Sequence, residues 1–358
     1  MIFYEKMFIN KKVKFNYESN YLDSVYVFED GDFILFGVTD KSFGNPNSEV
    51  KKSTLFDGKT LNPKLLLNVS SLCSFFNLMN DEFGICSGLS HFEIFKFNSD
   101  RTSFEKIQSF SDKEGGSAKS INQLLNGDIC ISRIYVGYSS MFFYRKNETN
   151  PKYAPYGENF IHTTEDLEEL INLNDKEALG YKIFKGIGSL VLKVLNINDY
   201  KIIRKNEINF KEGSSQLRLY ISSPLYKIKN KLITASTKCF YILGIDTLEL
   251  ETTIQFEKFI LQILIRPKGN IFLLTRSRDK KYYPKYDSTD SSSIYYDQFI
   301  QNMKIDFETN DLIQIKEEDI TQYCGKNKEL FNLYNYINNG IITLVDKTKI
   351  VFYEDCDD

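Results

Sequence analysis

The residues that most often carry enzyme chemistry are sparse in this sequence. It contains two histidines, His91 and His162, and six cysteines, with no Cys-x-x-Cys pair. Zinc sites need closely spaced cysteine and histidine ligands, so the sequence predicts no zinc site. A serine hydrolase triad would have to use one of the two histidines as its base. Because His91 opens a predicted strand and His162 lies near an irregular connection, we interpret both as structural residues.

Motifs for phosphate binding and covalent catalysis do not occur in the sequence either. It has no GxSxG, P-loop or GxGxxG segment, and the glycine-bearing turn at 185–188 has no helix pattern after it. The acidic run at 165–169 is typical of a solvated face rather than of a metal or acid–base site. We therefore expect no cofactor, no metal and no catalytic activity.

Composition and charge restrict the partners and the compartment. Lysine and arginine total 45 and aspartate and glutamate total 48, a net charge of −3, which gives no general attraction to nucleic acid or anionic lipid. The sequence shows neither a signal-peptide core after Met1 nor an apolar window of transmembrane length. Widely spaced cysteines are typical of free thiols, although Cys73 and Cys86 could approach each other across a hairpin. We expect a cytoplasmic protein that binds neither nucleic acid nor membranes.

The elements that would position any functional residue form a repeat. A short polar turn followed by an apolar strand occurs seven times, at a mean spacing of about 51 residues. Glycine, asparagine and aspartate suit such turns because they tolerate a positive φ. The strands after the turns are apolar at nearly every position, which predicts burial on both faces. The turn centres lie near residues 31, 81, 127, 175, 230, 269 and 339.

Each buried strand is followed by a strand of alternating aromatic and aliphatic residues, and then by a more polar strand. In three of the alternating strands, an acidic residue follows an apolar one and precedes a leucine; these residues are Asp57, Asp246 and Glu308. With the strand before the turn, the unit has four strands in about 50 residues, which is typical of one β-propeller blade. Such a blade cannot bury both faces alone, so its neighbours must cover them.

The two ends of the chain predict how the ring closes. The last unit supplies three strands, whereas residues 12–17 (KVKFNY) form one strand that no other unit uses. As the outer strand of the last blade, this segment would leave no open sheet edge between the chain ends. We predict an all-β protein, with residues 1–358 forming a single domain: a seven-bladed β-propeller closed by its N-terminal strand. The predicted blades span residues 22–68, 69–111, 117–163, 167–211, 216–257, 259–318 and 328–355 plus 12–17.

This pattern of strands and turns resembles the WD40 family over essentially the whole chain. Asp57, Asp246 and Glu308 stand where that family has the aspartate of its Trp-Asp pair. The sequence has no tryptophan and no Gly-His pair before its repeats, so the hydrogen-bond relay of the family is not expected here. Kelch repeats fit less well, because the only glycine pair is Gly115-Gly116. Two β-sandwiches or a mixed α+β fold form the alternative interpretation.

Two long insertions fall between the second and third strands of their units, at 40–52 and 279–301. In WD40-like propellers these loops lie on the same face as the connections between blades. The second insertion combines tyrosines with lysines, and such side chains on a surface loop make good contact anchors. A solvated loop without a binding role is the alternative. The candidate anchors are Lys280, Lys281, Tyr282, Tyr283, Tyr286, Tyr295 and Tyr296.

These observations favour a non-catalytic scaffold that binds other proteins through the insertion-bearing face, as an isolated protein or as a subunit of a larger complex. A phosphoinositide-binding propeller is a second hypothesis, but its Phe-Arg-Arg-Gly motif is replaced at 252–257 by a stretch without arginine. A propeller hydrolase with a site at the channel mouth is a third. The inner strands, read as VYVF, LCSFFNL and LYISSPLY, are mostly apolar and offer little catalytic equipment.

Overall fold

The computed structural model is all-β: the elements of the described residues are twenty-seven strands. Within that part of the chain no helix is long and apolar enough to span a membrane. The described residues are 21–28, 30–38, 52–60, 62–68, 73–78, 81–87, 91–111, 117–135, 138–146, 153–155, 167, 169–184, 188–210, 224–265, 271–277, 298–319, 332–337, 340–345 and 349–354.

The strands form seven small antiparallel sheets, numbered here along the chain. Sheet 1 contains β1 (Tyr21–Val27), β2 (Phe33–Val38), β3 (Lys52–Phe56) and β4 (Pro63–Asn68). Sheet 2 contains β5 (Cys73–Asn77), β6 (Glu82–Ser87), β7 (His91–Phe97) and β8 (Phe104–Ser111). Sheet 3 contains β9 (Ser117–Gln123), β10 (Ile129–Tyr135), β11 (Tyr138–Lys146) and β12 (Tyr153–Pro155).

The remaining four sheets continue the same order. Sheet 4 contains β13 (Glu169–Asn172), β14 (Glu177–Phe184), β15 (Ser189–Asn196) and β16 (Ile202–Asn209). Sheet 5 contains β17 (Tyr226–Ile228), β18 (Lys231–Ala235), β19 (Cys239–Gly244) and β20 (Leu250–Gln255). Sheet 6 contains β21 (Phe259–Ile265), β22 (Ile271–Arg276), β23 (Gln298–Asp306) and β24 (Asp311–Asp319). Sheet 7 contains β25 (Asn332–Ile337), β26 (Gly340–Val345) and β27 (Lys349–Glu354).

Strand order within every sheet follows the chain, so each sheet is a meander joined by local connections. In sheets 1, 2, 4, 5 and 6 the register of the third and fourth strands shifts by one residue near the same place. Such a bulge bends and twists the outer strand. The recurrence of one irregularity confirms the predicted repeating unit of four strands.

Apolar layers between consecutive sheets form the core. Five separate clusters of buried side chains join sheets 1 and 2, 2 and 3, 3 and 4, 4 and 5, and 5 and 6. Sheet 5 shows how one strand serves two layers: Leu232 packs towards sheet 4, whereas Ile233 and Ala235 pack towards sheet 6. Because successive side chains of a strand point to opposite faces, a strand between two sheets is apolar throughout.

The inner strands show which sheets are neighbours. Backbone contacts join β5 to β9, β9 to β13 and β21 to β25. The strand β25 also contacts β1. Sheet 7 therefore lies next to both sheet 6 and sheet 1.

Turns between the first and second strands follow the predicted chemistry. Gly31 and Gly127 have φ values of 92° and 87°, and Asp81 and Lys229 also adopt positive φ. At a different turn of sheet 1, the close approach of two backbone segments requires a glycine, Gly58. A Cβ on Gly58 would lie 2.0 Å from the Gly31 carbonyl oxygen, and the Gly58 N–H donates to Asp32 over 3.0 Å.

Turns between the third and fourth strands fasten neighbouring sheets together. Four of them place a non-glycine residue at positive φ: Arg101, Tyr200, Leu248 and Asn310. We call these residues the outer-turn latches, because each contacts the preceding sheet or packs in the layer shared with it. The left-handed conformation costs roughly 1–2 kcal/mol for such residues, so the contacts must offset it.

Arg101 is the most connected latch. Its guanidinium binds Asp81 in its own sheet at 2.7 Å and reaches Asp30 and Asp32 of sheet 1 at 2.6 and 3.2 Å. It also stacks 4.2 Å from the centroid of the Phe28 ring. The side chain is 12% exposed, and a partly buried network of this kind depends on all its partners being present.

Tyr200 also links its sheet to the preceding one, but through a phenol rather than a guanidinium. Its hydroxyl donates to the buried carboxylate of Asp128 in sheet 3, which also accepts from Arg145 at 3.4 Å. The Tyr200 ring stacks on Phe143 of sheet 3 with centroids 4.1 Å apart. Burial of the phenol, followed by its bond to Asp128, raises the pKa of Tyr200 well above its ordinary value.

Of the acidic residues at the predicted Trp-Asp position, Asp57 and Glu308 bond within their own turns, whereas Asp246 bonds to a neighbouring sheet. The Asp57 carboxylate accepts from the Thr60 N–H at 2.7 Å and from the Thr60 hydroxyl at 3.0 Å, and these bonds lower the pKa of Asp57 to about 2. Asp246 offers its backbone carbonyl to Arg204 of sheet 4 at 2.6 Å. Glu308 donates its N–H to Asp306 at 2.9 Å.

The predicted insertion boundaries were wrong by one to four residues. Strand β3 begins at Lys52 and strand β23 begins at Gln298, whereas the sequence placed residues 52 and 298–301 in the insertions. Polar residues at the start of β23 misled the prediction. Gln301 is buried, and its side-chain amide donates to Glu317 of the adjacent strand at 2.5 Å.

Removal of the Tyr200 hydroxyl tests whether the outer-turn latches stabilise the fold. We expect Tyr200→Phe to keep the ring stack on Phe143 and to lower the unfolding free energy by about 1–3 kcal/mol, because buried Asp128 loses a donor. Urea unfolding measures this difference. Ile203→Ala, at an exposed position of β16, is the control and should change stability by less than about 0.5 kcal/mol. Equal effects of both substitutions would contradict a latching role for Tyr200.

Candidate interaction surface

The seven predicted anchors, Lys280 to Tyr296, lie in the segment 278–297, outside the described residues. Their role therefore stays a prediction. The structure defines the two ends of this segment, since β22 ends at Arg276 and β23 begins at Gln298. The segment leaves sheet 6 at what we call the insertion end of the strands, where second strands lead to third strands.

A cluster of cations and aromatic rings surrounds the base of this insertion. Lys238 lies 4.1 Å from the centroid of the Phe259 ring, and the Arg276 guanidinium lies 5.7 Å from the same ring. Lys258 lies 3.5 Å from the centroid of the Phe299 ring. All five side chains are partly exposed. We call these five residues the insertion base.

Elements of two sheets position the insertion base. Lys238 belongs to the β18–β19 turn, where the Ser236 hydroxyl accepts from the Cys239 N–H at 3.1 Å. The Lys238 carbonyl accepts from the Phe256 N–H at 2.8 Å, which ties this turn to the short connection between β20 and β21. That connection carries Lys258 and ends at Phe259, so sheets 5 and 6 share one rigid surface here.

Charges in the insertion base are partly compensated. Lys258 forms an ion pair with Glu317, and the Lys238 ammonium donates to the Glu257 carbonyl at 2.5 Å. Cations over ring faces gain roughly 0.5–1 kcal/mol at exposed sites. Partly exposed aromatic rings, with cations over their faces, suit contact with another protein surface.

Two of the inner strands quoted from the sequence, VYVF and LCSFFNL, overlap β1 and β5, whereas later inner strands carry polar side chains that bond to neighbouring sheets. For the fifth inner strand the sequence indicated LYISSPLY, 219–226, whereas the described strand β17 is Tyr226–Ile228. Asn172 of β13 donates to the Gln123 carbonyl of β9 at 2.8 Å. Lys227 of β17 donates to carbonyls at the end of β13. The Tyr226 hydroxyl donates to the Ile263 carbonyl of β21 at 3.2 Å.

These polar side chains connect sheets 3 to 6 rather than converge on one point. The Tyr181 hydroxyl donates to Glu169 and accepts from the Leu225 N–H of sheet 5 at 3.4 Å. Burial, and then the nearby Glu169 charge, raises the pKa of Tyr226 to about 12. Among the described residues no group of three histidine, cysteine or acidic side chains could hold a metal ion.

Some of the residues that the sequence raised as candidates for chemistry lie in described strands. His91 begins β7, as predicted, whereas His162 lies outside the described residues. Cys130 is fully buried, and this burial raises the pKa of its thiol well above the ordinary value, which disfavours the nucleophilic thiolate. Cys73 pairs with Ser87 and Cys86 with Ser74, so the two cysteines are not cross-strand partners.

Comparison with known proteins identifies the fold. No protein-family model and no curated protein matches the sequence. The β-propeller domain of Cps50 (Swd1) from Myceliophthora thermophila matches at a TM-score of 0.55 and 8% identity, covering 96% of this chain and 98% of that one. Sqt1 from Saccharomyces cerevisiae matches at 0.53 and 10% identity, covering 96% and 98%. The periplasmic gluconolactonase PpgL of Pseudomonas aeruginosa matches at 0.54 and 11% identity, covering 83% and 85%.

The chain therefore has the fold of a WD40-like β-propeller. At these identities the likeness concerns the fold alone. Propellers similar to this chain include WD40 proteins and a gluconolactonase, so the fold is compatible with both binding and catalysis.

Sequence reasoning missed the insertion base, because its residues come from two connections and from the ends of three strands that are separate in the sequence. One signal was available: only residues 256–258 join β20 to β21, so Lys258 had to lie where the sheets meet. The proximity of Lys238 and Arg276 to Phe259 depends on how sheets 5 and 6 pack, which a single sequence does not reveal.

Unfolding measured at alkaline pH tests the burial of Tyr226 on the inner strand β17. Since the pKa of Tyr226 rises from 10.0 to about 12 on folding, the folded protein keeps this phenol protonated at a pH where the unfolded chain ionises. Its stabilisation is complete below pH 10 and is lost as the pH rises towards 12. We expect the unfolding free energy to fall over this range, and to fall less steeply for Tyr226→Phe, in urea titrations at each pH. Equal slopes would contradict the burial of Tyr226.

Proposed function

We propose that this chain is a non-catalytic scaffold that binds partner proteins through the insertion end of its sheets. The observation that supports this most is the insertion base, where partly exposed rings and cations of two sheets meet at the foot of the long insertion. The predicted anchors Tyr282, Tyr283 and Tyr286 belong to the segment that leaves this surface. Rigid sheets that present a variable loop are a common arrangement for binding.

The chemistry of the insertion base favours a protein partner. Phe259 and Phe299 offer apolar area without the loss of much side-chain freedom. Lys238 and Arg276 can donate hydrogen bonds to carbonyl or carboxylate groups while they remain over the Phe259 ring. Energetically important interface residues are enriched in aromatic residues and arginine.

The proposal includes an architecture and a location. We propose that residues 1–358 form one domain, in which the seven sheets are seven blades of a ring closed by residues 12–17. Contacts of β25 with both β21 and β1 support this closure. We further propose that the protein acts in the cytoplasm, on its own or as a subunit of a larger complex.

Affinity purification with quantitative mass spectrometry tests the scaffold. We expect deletion of residues 279–293 to remove the main partners, and Lys238→Glu to reduce their recovery about tenfold, which corresponds to 1.4 kcal/mol. The charge reversal places an acid beside Phe259 and Glu257. Lys201→Glu is the matched control, because Lys201 is exposed at the opposite end of the strands. It should leave recovery unchanged.

Two outcomes would contradict the proposal. The first is recovery of the same partners, in the same amounts, with the deletion and with Lys238→Glu. The second is hydrolysis of gluconolactone by the purified protein above the spontaneous rate, which would favour an enzyme. Circular dichroism of each variant must match that of the unmodified protein, so that a loss of partners reports on binding.

A further inference from the structure

The insertion base contains two lysines that lie over aromatic rings, and the two differ in their acidic partners. Lys258 lies over the Phe299 ring and forms an ion pair with Glu317. The second carboxylate oxygen of Glu317 accepts from the Gln301 side-chain amide at 2.5 Å, so both oxygens of this acid are engaged. Lys258 therefore has its anion within the protein.

Lys238 lies over a ring in the same manner, but without such an anion. Its ammonium is 4.1 Å from the centroid of the Phe259 ring and donates to the Glu257 backbone carbonyl at 2.5 Å. In the described part of the chain, Lys238 forms no ion pair or hydrogen bond with a carboxylate. Because an ammonium has three N–H donors, Lys238 keeps donors for a further acceptor.

A second cation approaches the ring that Lys238 covers. Arg276 is the cross-strand partner of Phe259, and its guanidinium lies 5.7 Å from the ring centroid. The two positive charges are therefore no more than about 10 Å apart, a separation over which salt screens them incompletely. Like charges at this distance repel each other, and an anion that binds both would stabilise them. The planar fork of a guanidinium matches the geometry of a carboxylate.

Backbone hydrogen bonds hold Lys238 and Phe259 in position. The Lys238 carbonyl accepts from the Phe256 N–H at 2.8 Å, and the Thr237 carbonyl accepts from the Ile260 N–H at 2.8 Å. These two bonds fix the β18–β19 turn against both ends of the connection between β20 and β21. A surface that is held in this way before a partner arrives loses little conformational freedom on binding.

We infer that Lys238 and Arg276 together bind a carboxylate in an acidic segment of the partner protein. This inference rests on the proposed scaffold function, because it assigns a chemical class to the partner of the same surface. The partner carboxylate gives Lys238 the anion that Lys258 already has in Glu317. The partly exposed rings of the insertion base contact apolar side chains beside that carboxylate. Charge complementarity at an interface contributes mainly to specificity, so the site discriminates a carboxylate from a neutral amide.

Two peptides that differ only in charge test the site in the purified protein. The probes are acetyl-Glu-Phe-Glu-amide and acetyl-Gln-Phe-Gln-amide, titrated into protein that carries ¹⁵N-labelled lysine. The backbone amide signal of Lys238 is identified in the NMR spectrum by its loss in Lys238→Arg. We expect the acidic peptide to shift this signal saturably, with an affinity severalfold higher than that of the neutral peptide. The signal of Lys201, at the opposite end of the strands, should not shift.

Substitutions test whether the two cations act together. Arg276→Gln should lower the affinity for the acidic peptide severalfold, as followed on the Lys238 signal, because the carboxylate loses the guanidinium fork. Lys201→Gln is the matched control for the loss of one positive charge, and it should leave the affinity unchanged.

Three results would overturn the inference. The first is the absence of a shift at Lys238, or equal affinity for the two peptides. The second is an affinity that Arg276→Gln leaves unchanged, or a shift at Lys201 as large as that at Lys238. The third is a severalfold gain in affinity on deletion of residues 279–293, which would make an aspartate of the insertion the natural occupant.

The outcomes for the site and for the scaffold are distinguishable. Loss of partner proteins on deletion of residues 279–293, without any binding of the acidic peptide, would remove the carboxylate site and leave the scaffold in place. Peptide binding by a protein whose partners survive both the deletion and Lys238→Glu would support the carboxylate site and contradict the scaffold.

Discussion

Sheets 2, 3, 4 and 5 of this protein each pack apolar side chains on both faces, and only a sheet on each side can cover both. The five buried clusters each span two consecutive sheets, and none is confined to one sheet. Stability therefore resides in the layers between sheets, in the manner of repeat proteins whose units cannot fold alone. The same constraint explains why second strands such as β18 are apolar at successive positions.

Hydrophobic packing is non-directional, so it does not by itself fix the relative orientation of neighbouring sheets. A second kind of interaction must do so. The outer-turn latches supply it at the rim. Arg101 uses an ion network, Tyr200 a phenol on a buried carboxylate, Leu248 apolar packing, and Asn310 an amide that donates to Glu251 at 2.9 Å. One backbone conformation thus serves four different side chains, which shows that the position is set by the fold and the chemistry by each pair of sheets.

The sequence predicts those features whose interactions are between residues close to each other along the chain. Gly31, Asp81 and Gly127 identify their turns because the conformation depends on a few neighbouring residues. The four-strand unit follows from the periodicity of apolar residues. The start of β23 was not predictable, because Gln301 is typical of a loop, and its donation to Glu317 of the next strand exists only once the strands have paired. The insertion base and the latches also escaped, since Lys238 and Phe259, or Tyr200 and Asp128, meet only once the sheets have packed. No sequence signal distinguishes Tyr200 from any other turn tyrosine.

The most direct test of stacked sheets in one ring is native-state hydrogen exchange, followed by mass spectrometry over increasing urea. If each sheet is covered by its two neighbours, amides of the second strands β2, β6, β10, β14, β18 and β22 should exchange through one common unfolding event, with a single free energy and a single dependence on urea. Two groups of strands that exchange with separate free energies, for example sheets 1–3 apart from sheets 4–6, would show independent units and contradict the continuous ring.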